Sequence, residues 1–396
     1  MDPQIVMWVG FILAGYAVVG NDSIQTLGTF LSSNEQRPWW VLWLFAGSIL
    51  TFTLVYGWYT YNGDVSYERL QLLDDSGAMV YPNPQDLPQF GWPYLLPPLV
   101  LMLLTRTGIP VSTSFLILTF FSPKGLWSMT MKSILGYALA FCVAILLWQL
   151  ITNAMDRKFI KNPITKNEQR VWTILQWSST GFLWGQWLIQ DFANIYVYLP
   201  RSITGMELAI SLSILLFMLG VIFYSKGGKI QQIVKAKTNT TDVRSATLID
   251  FTYGIVLLFF KEFSKVPMST TWVFLGLLAG REIAIRYRLE LGVEPDDLKR
   301  APLMHQLGLL LNAVLLVLIG YVVYLRKDVS DQIIVVMALA MVARAAVAYY
   351  ETSSGELNLK GAFRNILMDL AKVTLGLLIS VALVYIIDWL TKGVVG

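Results

Sequence analysis

The sequence predicts an all-α polytopic membrane protein built as an inverted repeat. Of its 396 residues, 55% are hydrophobic and only 14% charged, whereas a soluble chain carries about 25% charged residues. Eight apolar runs approach the roughly 20 residues that cross a bilayer as a helix. Two polar motifs recur in the same order, 169 and 157 residues apart.

The predicted spans are 5–33 (broken at 20–23), 39–60, 127–152, 171–200 (broken near 190–194), 205–224, 304–326, 332–350 and 366–390. Two more regions, 93–121 and 247–283, are apolar but hold a central proline, Pro110 or Pro267. Proline removes a helix hydrogen bond and pushes the preceding residue out of the α region. Each region therefore reads as two short helices joined by a turn, a re-entrant helical hairpin. The expected division is 1–152, 153–300 and 301–396, with the last part holding C-terminal transmembrane helices.

Loop charges set the topology. Loop 61–92 carries Asp64, Glu68, Asp74, Asp75 and Asp86 against Arg69 alone. Loops 153–170 and 225–246 are basic, with Arg157, Lys158, Lys161, Lys166 and Arg170 in the first and Lys226, Lys229, Lys235, Lys237 and Arg244 in the second. Basic residues beside spans favour the cytoplasm. The basic loops are thus expected inside and the acidic loop outside, in a multi-pass protein of the cell (inner) membrane. On this count the two broken spans run antiparallel, and the two hairpins open to opposite sides.

The repeat is legible residue by residue. Aligning "VGNDSIQTLGTFL" (19–31) with "LIQDFANIYVYLP" (188–200) sets Asn21 on Gln190, Asp22 on Asp191 and Gln25 on Asn194. Aligning "GIPVSTS" (108–114) with "KVPMSTT" (265–271) sets Pro110 on Pro267, Ser112 on Ser269, Thr113 on Thr270 and Ser114 on Thr271. A helix that starts just after a proline offers unpaired N–H groups and a positive dipole end to an anion. Ser112, Thr113, Ser114, Ser269, Thr270 and Thr271 are therefore the anion-binding candidates. The breaks supply carboxylates and amide oxygens, which suit a cation. Asn21, Asp22, Gln25, Gln190, Asp191 and Asn194 are its candidates, with sodium placed at Asp22 and Asp191. Discontinuous helices that set such sites near the midplane are a construction of secondary transporters.

Plainer readings exist for these residues. Asp22 could cap a helix at the membrane surface, and Ser/Thr beside proline ties up freed carbonyls in kinked helices. The recurrence of both motifs weighs against these readings, as does the rarity of intramembrane acids without a function. Arg106, Lys261 and Lys265 do not superpose between the repeats and read better as snorkelling side chains than as anion ligands. His305 is expected at a helix start near the inner surface, Asp369 and Lys372 as a local pair on one helix, and the tryptophans as interfacial anchors. One cysteine, Cys142, and one histidine, His305, exclude a disulfide framework, a Cys/His zinc site and a Cys–His nucleophile. No enzyme activity, resident cofactor, removable signal peptide or nucleic-acid partner is expected.

Gly20-Asn21-Asp22 with Gly28-Thr29, and the two Pro-x-Ser-Thr hairpins at Pro110 and Pro267, resemble the motifs of the inorganic phosphate transporter (PiT) family. The resemblance covers roughly 10–285 and is that of a divergent member. It implies symport of an inorganic oxyanion, usually phosphate, with Na⁺ or H⁺ by alternating access, commonly in a homodimer. The hairpin Ser/Thr residues would hold the anion, and Asp22, Asp191, Asn21 and Asn194 would hold or border the cations. The chain departs from the family at the second break, which reads Gln190-Asp191, and at Phe115 and Trp272, where the family usually has histidine. Span 39–60 also lacks a glutamate. These departures bear on substrate and coupling ion more than on architecture. Sulfate transport on the same fold, or a non-transporting membrane subunit, are the competing expectations.

Overall fold

A computed structural model describes residues 2–87, 90–106, 112–151, 164–225 and 243–291, with 378–379, 381–382 and 385–386. The expectations for the C-terminal spans, His305, the Asp369–Lys372 pair, the side chain of Arg106, and most of loops 153–170 and 225–246 lie outside the described residues. What is described is helical; its β structure is one isolated bridge between Leu73 and Met79. The helices are α1 (Pro3–Ser33), α2 (Trp39–Thr60), α3 (Leu96–Arg106), α4 (Thr113–Phe121), α5 (Leu126–Ile151), α6 (Lys166–Tyr196), α7 (Gly205–Tyr224), α8 (Val243–Phe263) and α9 (Thr270–Leu291). By length and composition, four described stretches suffice to cross a membrane: Pro3–Gly20, Trp39–Thr60, Pro123–Ile145 and Gly205–Tyr224.

The chain divides into two compact units. One comprises Met1–Gly136, Lys166–Phe274 and Ala371–Gly396, and the other Tyr137–Thr165 and Leu275–Leu370. The boundaries fall inside α5 and α9.

In the first unit α1 and α6 pack antiparallel. Phe11 meets Tyr196 at 5.2 Å between ring centroids, and Phe30 meets Trp177 at 5.1 Å. The Asn34 amide donates to Gln176 Oε1 at 3.0 Å. α6 and α8 run parallel, since Thr180 meets Asp250 and Gln190 meets Leu257 further along both helices. On the other side, α2 joins α7 through the Trp43 indole N–H, which donates to Leu216 O at 3.0 Å.

The two expected breaks are absent. α1 runs 31 residues through Asn21-Asp22, about 46 Å at 1.5 Å per residue. α6 also runs 31 residues and passes Gln190-Asp191 and Asn194 before it ends. The polar residues are accommodated without unwinding. Ser23 Oγ bonds back to Val19 O, and Thr26 Oγ1 to Asp22 O at 3.2 Å, the back-bonding that helices tolerate. One glycine in a helix costs only about 1 kcal/mol, so Gly20 does not force a break. At the end of α6, Arg201 takes the freed carbonyls. Its guanidinium donates to Tyr196 O, Val197 O and Leu199 O at 3.4, 3.3 and 3.0 Å.

The first proline-centred region holds the expected pair of short helices, α3 with 11 residues and α4 with 9. Residues 107–111, including Pro110, lie outside the described residues. The second differs. Pro267 sits in a turn, but the flanking helices have 21 and 22 residues, so neither is short. α8 packs along α6, with Gly254 facing Phe182 and the backbone of Leu183, and that continuous contact sustains its length. Trp184 and Trp187 are likewise not interfacial anchors: both are buried and stack at 4.9 Å.

In the second unit α9 lies against α5 through Gly276 and Gly280. A Cβ at Gly276 would stand 2.1 Å from Tyr137 O, and one at Gly280 2.3 Å from Phe141 O. Small residues four apart allow such close backbone approach between membrane helices. Gly276→Leu is expected to push the helices apart and cost about 3 kcal/mol or more, as a severe overpacking defect. Thermal melting in detergent checks this; a melting point equal to wild type would remove the close-packing argument.

Candidate functional site

The motif residues converge in the first unit. Ser112 is the N-cap of α4, and its Oγ accepts from Phe115 N at 3.4 Å. Ser269 precedes α9, and its Oγ accepts from Trp272 N at 3.3 Å. The two serines, matched in sequence, thus cap their helices in the same way. The two helix starts also abut. Ser114 Oγ donates to Met268 O at 3.1 Å, and the Phe115 and Trp272 rings lie 5.6 Å apart. The leading N–H groups of both helices have no intrahelical carbonyl to bond.

The carboxylates join these helix starts. Thr113 Oγ1 donates to Asp22 Oδ2 at 2.7 Å, which ties the start of α4 to α1. Asn194 links the two sets, its Nδ2 donating to Asp191 Oδ1 at 2.6 Å and to Thr113 Oγ1 at 3.1 Å. Asp22, Thr113, Asp191, Asn194 and Thr270 are all buried. Asp191 Oδ2 and Asn194 Oδ1 are buried acceptors with no hydrogen-bond donor among the described residues. An acceptor-only oxygen buried without a donor is costly and suits a cation or a proton carried by a ligand.

Several candidates are placed differently from expectation. The Thr113 hydroxyl hydrogen is committed to Asp22 and that of Ser114 to Met268 O. Thr113 thus ties the start of α4 to a carboxylate. Thr271 is buried in the first turn of α9. Gln190 does not present its oxygen to a cation site: its Oε1 accepts from Arg69 Nε at 3.2 Å and Nη2 at 3.1 Å, and its Nε2 donates to Leu257 O at 3.3 Å. The side chains of Asn21 and Gln25 lie outside the described residues. Lys261 pairs with Glu262 and Lys265 with Glu68, so both are engaged in ion pairs with carboxylates.

Besides Arg201, three buried charged groups escaped the sequence reading. Arg69, from the acidic loop, reaches α6 and senses the charge of Asp191. Burial pushes its pKa down to about 10, against the pull of Asp191, so it stays cationic near neutrality. Asp250, on α8, accepts from Thr29 Oγ1 and Thr180 Oγ1 on its two oxygens. Lys132, on α5, donates to Ser264 O at 2.6 Å and to Val266 O. Each had a signal: Arg69 is the one cation of loop 61–92, and Asp250 and Lys132 are single charges inside apolar runs.

No family model and no curated protein matches the chain. A solved structure titled "The sodium-dependent phosphate transporter" is similar to it, with 16% identity and a TM-score of 0.48 over 89% of this chain and 99% of that one.

Proposed function

We propose that the protein is a cation-coupled symporter of a tetrahedral oxyanion, with inorganic phosphate as substrate and Na⁺ or H⁺ as the coupling ion. One observation carries the proposal: a buried chain of contacts, Asp22–Thr113–Asn194–Asp191, assembled from both copies of a sequence repeat where two helix N-termini meet. The helix starts, with Ser112 and Ser269, bind the anion. Each serine accepts through its oxygen and keeps its hydroxyl hydrogen to donate. The cation, sodium in the first instance, sits on Asp191 and Asn194 with Asp22 nearby, where two buried oxygens lack donors.

Coupling follows from a shared threonine. Thr113 stands in the first turn of an anion-facing helix, yet bonds Asp22, so cation occupancy and anion occupancy share atoms. Like charges at Asp22 and Asp191 disfavour an empty, fully ionised site, so a cation should bind with or before the anion. We place alternating access between two inverted halves, 1–152 and 153–300, with 301–396 outside the repeat; the like capping by Ser112 and Ser269 favours that pairing. Phosphate is favoured over sulfate because its protonated oxygen can donate to an aspartate, which sulfate cannot do.

Uptake of labelled phosphate into proteoliposomes tests the reading. Uptake should require an inward Na⁺ or H⁺ gradient and resist competition by sulfate. No uptake under either gradient, by protein shown to be folded, would leave the non-transporting reading in its place. Ser112→Ala and Ser269→Ala should each weaken phosphate affinity by about 0.5–1.5 kcal/mol and also lower stability by about 1 kcal/mol through the lost cap. Binding and melting, measured together, separate the two effects; unchanged affinity in both variants would take the anion away from the helix starts.

A further inference from the structure

We propose that Arg69 is a ligand for the substrate anion, carried into the site by a lid formed by residues 62–70. The inference rests on the oxyanion reading above and names a contact that lies outside both repeat motifs.

The segment belongs to a loop whose sequence predicts solvent exposure, yet Val65, Ser66, Tyr67, Arg69 and Leu70 are buried. Its backbone is held in an uncommon shape. Asn62, Tyr67 and Glu68 have φ values of 51°, 56° and 61°, a left-handed region that non-glycine residues enter at a cost. Local contacts maintain it. The Asp64 carboxylate accepts from Ser66 N at 2.6 Å and Glu68 N at 2.7 Å, and Tyr67 Oη donates to Thr53 O at 2.6 Å. Glu68 is ion-paired with Lys265, in the turn before α9. The lid is therefore latched by an exposed ion pair to the same turn that starts the second anion-facing helix.

The buried side of the lid is cationic. Arg69 spends two N–H groups on one neutral acceptor, Gln190 Oε1, and a guanidinium has five N–H groups. Among the described residues no carboxylate lies within ion-pair distance of Arg69 or Lys132. Lys132 instead donates to carbonyls of the same turn, and the neighbouring Ser133 Oγ accepts from Ser269 N at 2.9 Å. A buried guanidinium whose hydrogen-bond partner is a neutral amide is suited to an oxyanion. A planar guanidinium can clamp two oxygens of such an anion. Gln190 is its resting partner, released when the anion arrives.

The test is phosphate binding to the purified full-length protein, with hydrogen exchange of 62–70 read in parallel. Arg69→Met should weaken phosphate binding at least tenfold, and Arg69→Lys, which keeps the charge without the fork, should fall between it and wild type. Gln190→Met, which removes the resting partner, should tighten binding. Phosphate should slow exchange in 62–70 of the wild type and leave that of Arg69→Met unaltered. If Arg69 merely holds Gln190, Gln190→Met will weaken binding as much as Arg69→Met does, and the proposal is overturned. It is also overturned if Arg69→Met binds phosphate like wild type while Ser269→Ala is weakened, an outcome that leaves the oxyanion reading intact. A wild type that binds neither phosphate nor sulfate would overturn both.

Discussion

Asp191→Asn is expected to abolish the cation dependence of phosphate uptake. Asp191 and Asn194 each present a buried oxygen that no described group satisfies, and Asn194 Nδ2 already donates to the other Asp191 oxygen at 2.6 Å. An amide at 191 removes the charge. It also sets a donor where an acceptor is required, either toward Asn194 or toward the incoming ion. Losing one charged ligand of a desolvated ion is worth about 1.5–3 kcal/mol, roughly a ten- to hundredfold loss of cation affinity. Asp22→Asn should do less, because Asp22 Oδ2 already takes a hydrogen bond from Thr113 and an asparagine oxygen can keep that bond. Uptake measured against Na⁺ and proton concentration, at saturating phosphate, checks the ranking. An Asp191→Asn transporter with wild-type cation dependence would sink the cation assignment.

Arg201→Met is expected to be the most destabilising single change in the described region. The buried guanidinium donates to five backbone carbonyls: Tyr196, Val197 and Leu199 at the end of α6, and Tyr81 and Pro82 in the loop after α2. It therefore terminates the helix that bears Asp191 and anchors the loop that bears Arg69. A buried carbonyl stripped of its donor costs about 1–3 kcal/mol. Even with partial rehydration, the loss should exceed about 4 kcal/mol, a range reached only when buried networks break. Lysine keeps the charge but supplies three donors, so Arg201→Lys should lie between. Melting in detergent, followed by size-exclusion chromatography, measures it. A midpoint within about 2 °C of wild type would show that water replaces the guanidinium without cost.

How much of this was legible varied with the kind of interaction. α2 and α7 were readable as apolar runs of spanning length because apolar length is a local property, and Pro267 marked its turn because its geometry is local too. The repeat motifs singled out Asp22, Thr113, Asp191 and Asn194, which meet although they are far apart in the chain. The breaks were misjudged for a stated reason. Asp22 followed by Ser23 looks unsupportable in an apolar helix until Thr113 and the helix's own carbonyls are seen to satisfy them. Arg69 was passed over because loop residues were assigned to water.

Composition and apolar run length determined that the protein is helical with stretches long enough to cross a membrane, and internal repetition singled out its paired motifs. These depend on residue types and spacing along one chain. The tertiary structure alone decided which donors meet which acceptors. It gave the Thr113 hydrogen to Asp22, turned Gln190 to Arg69, set Arg201 on the carbonyls of α6, and left two oxygens of Asp191 and Asn194 without a described donor. The physical reason is that a hydrogen-bonding group in a dry interior must find a partner within about 3 Å. Which group stands there depends on how distant segments pack, not on any local pattern.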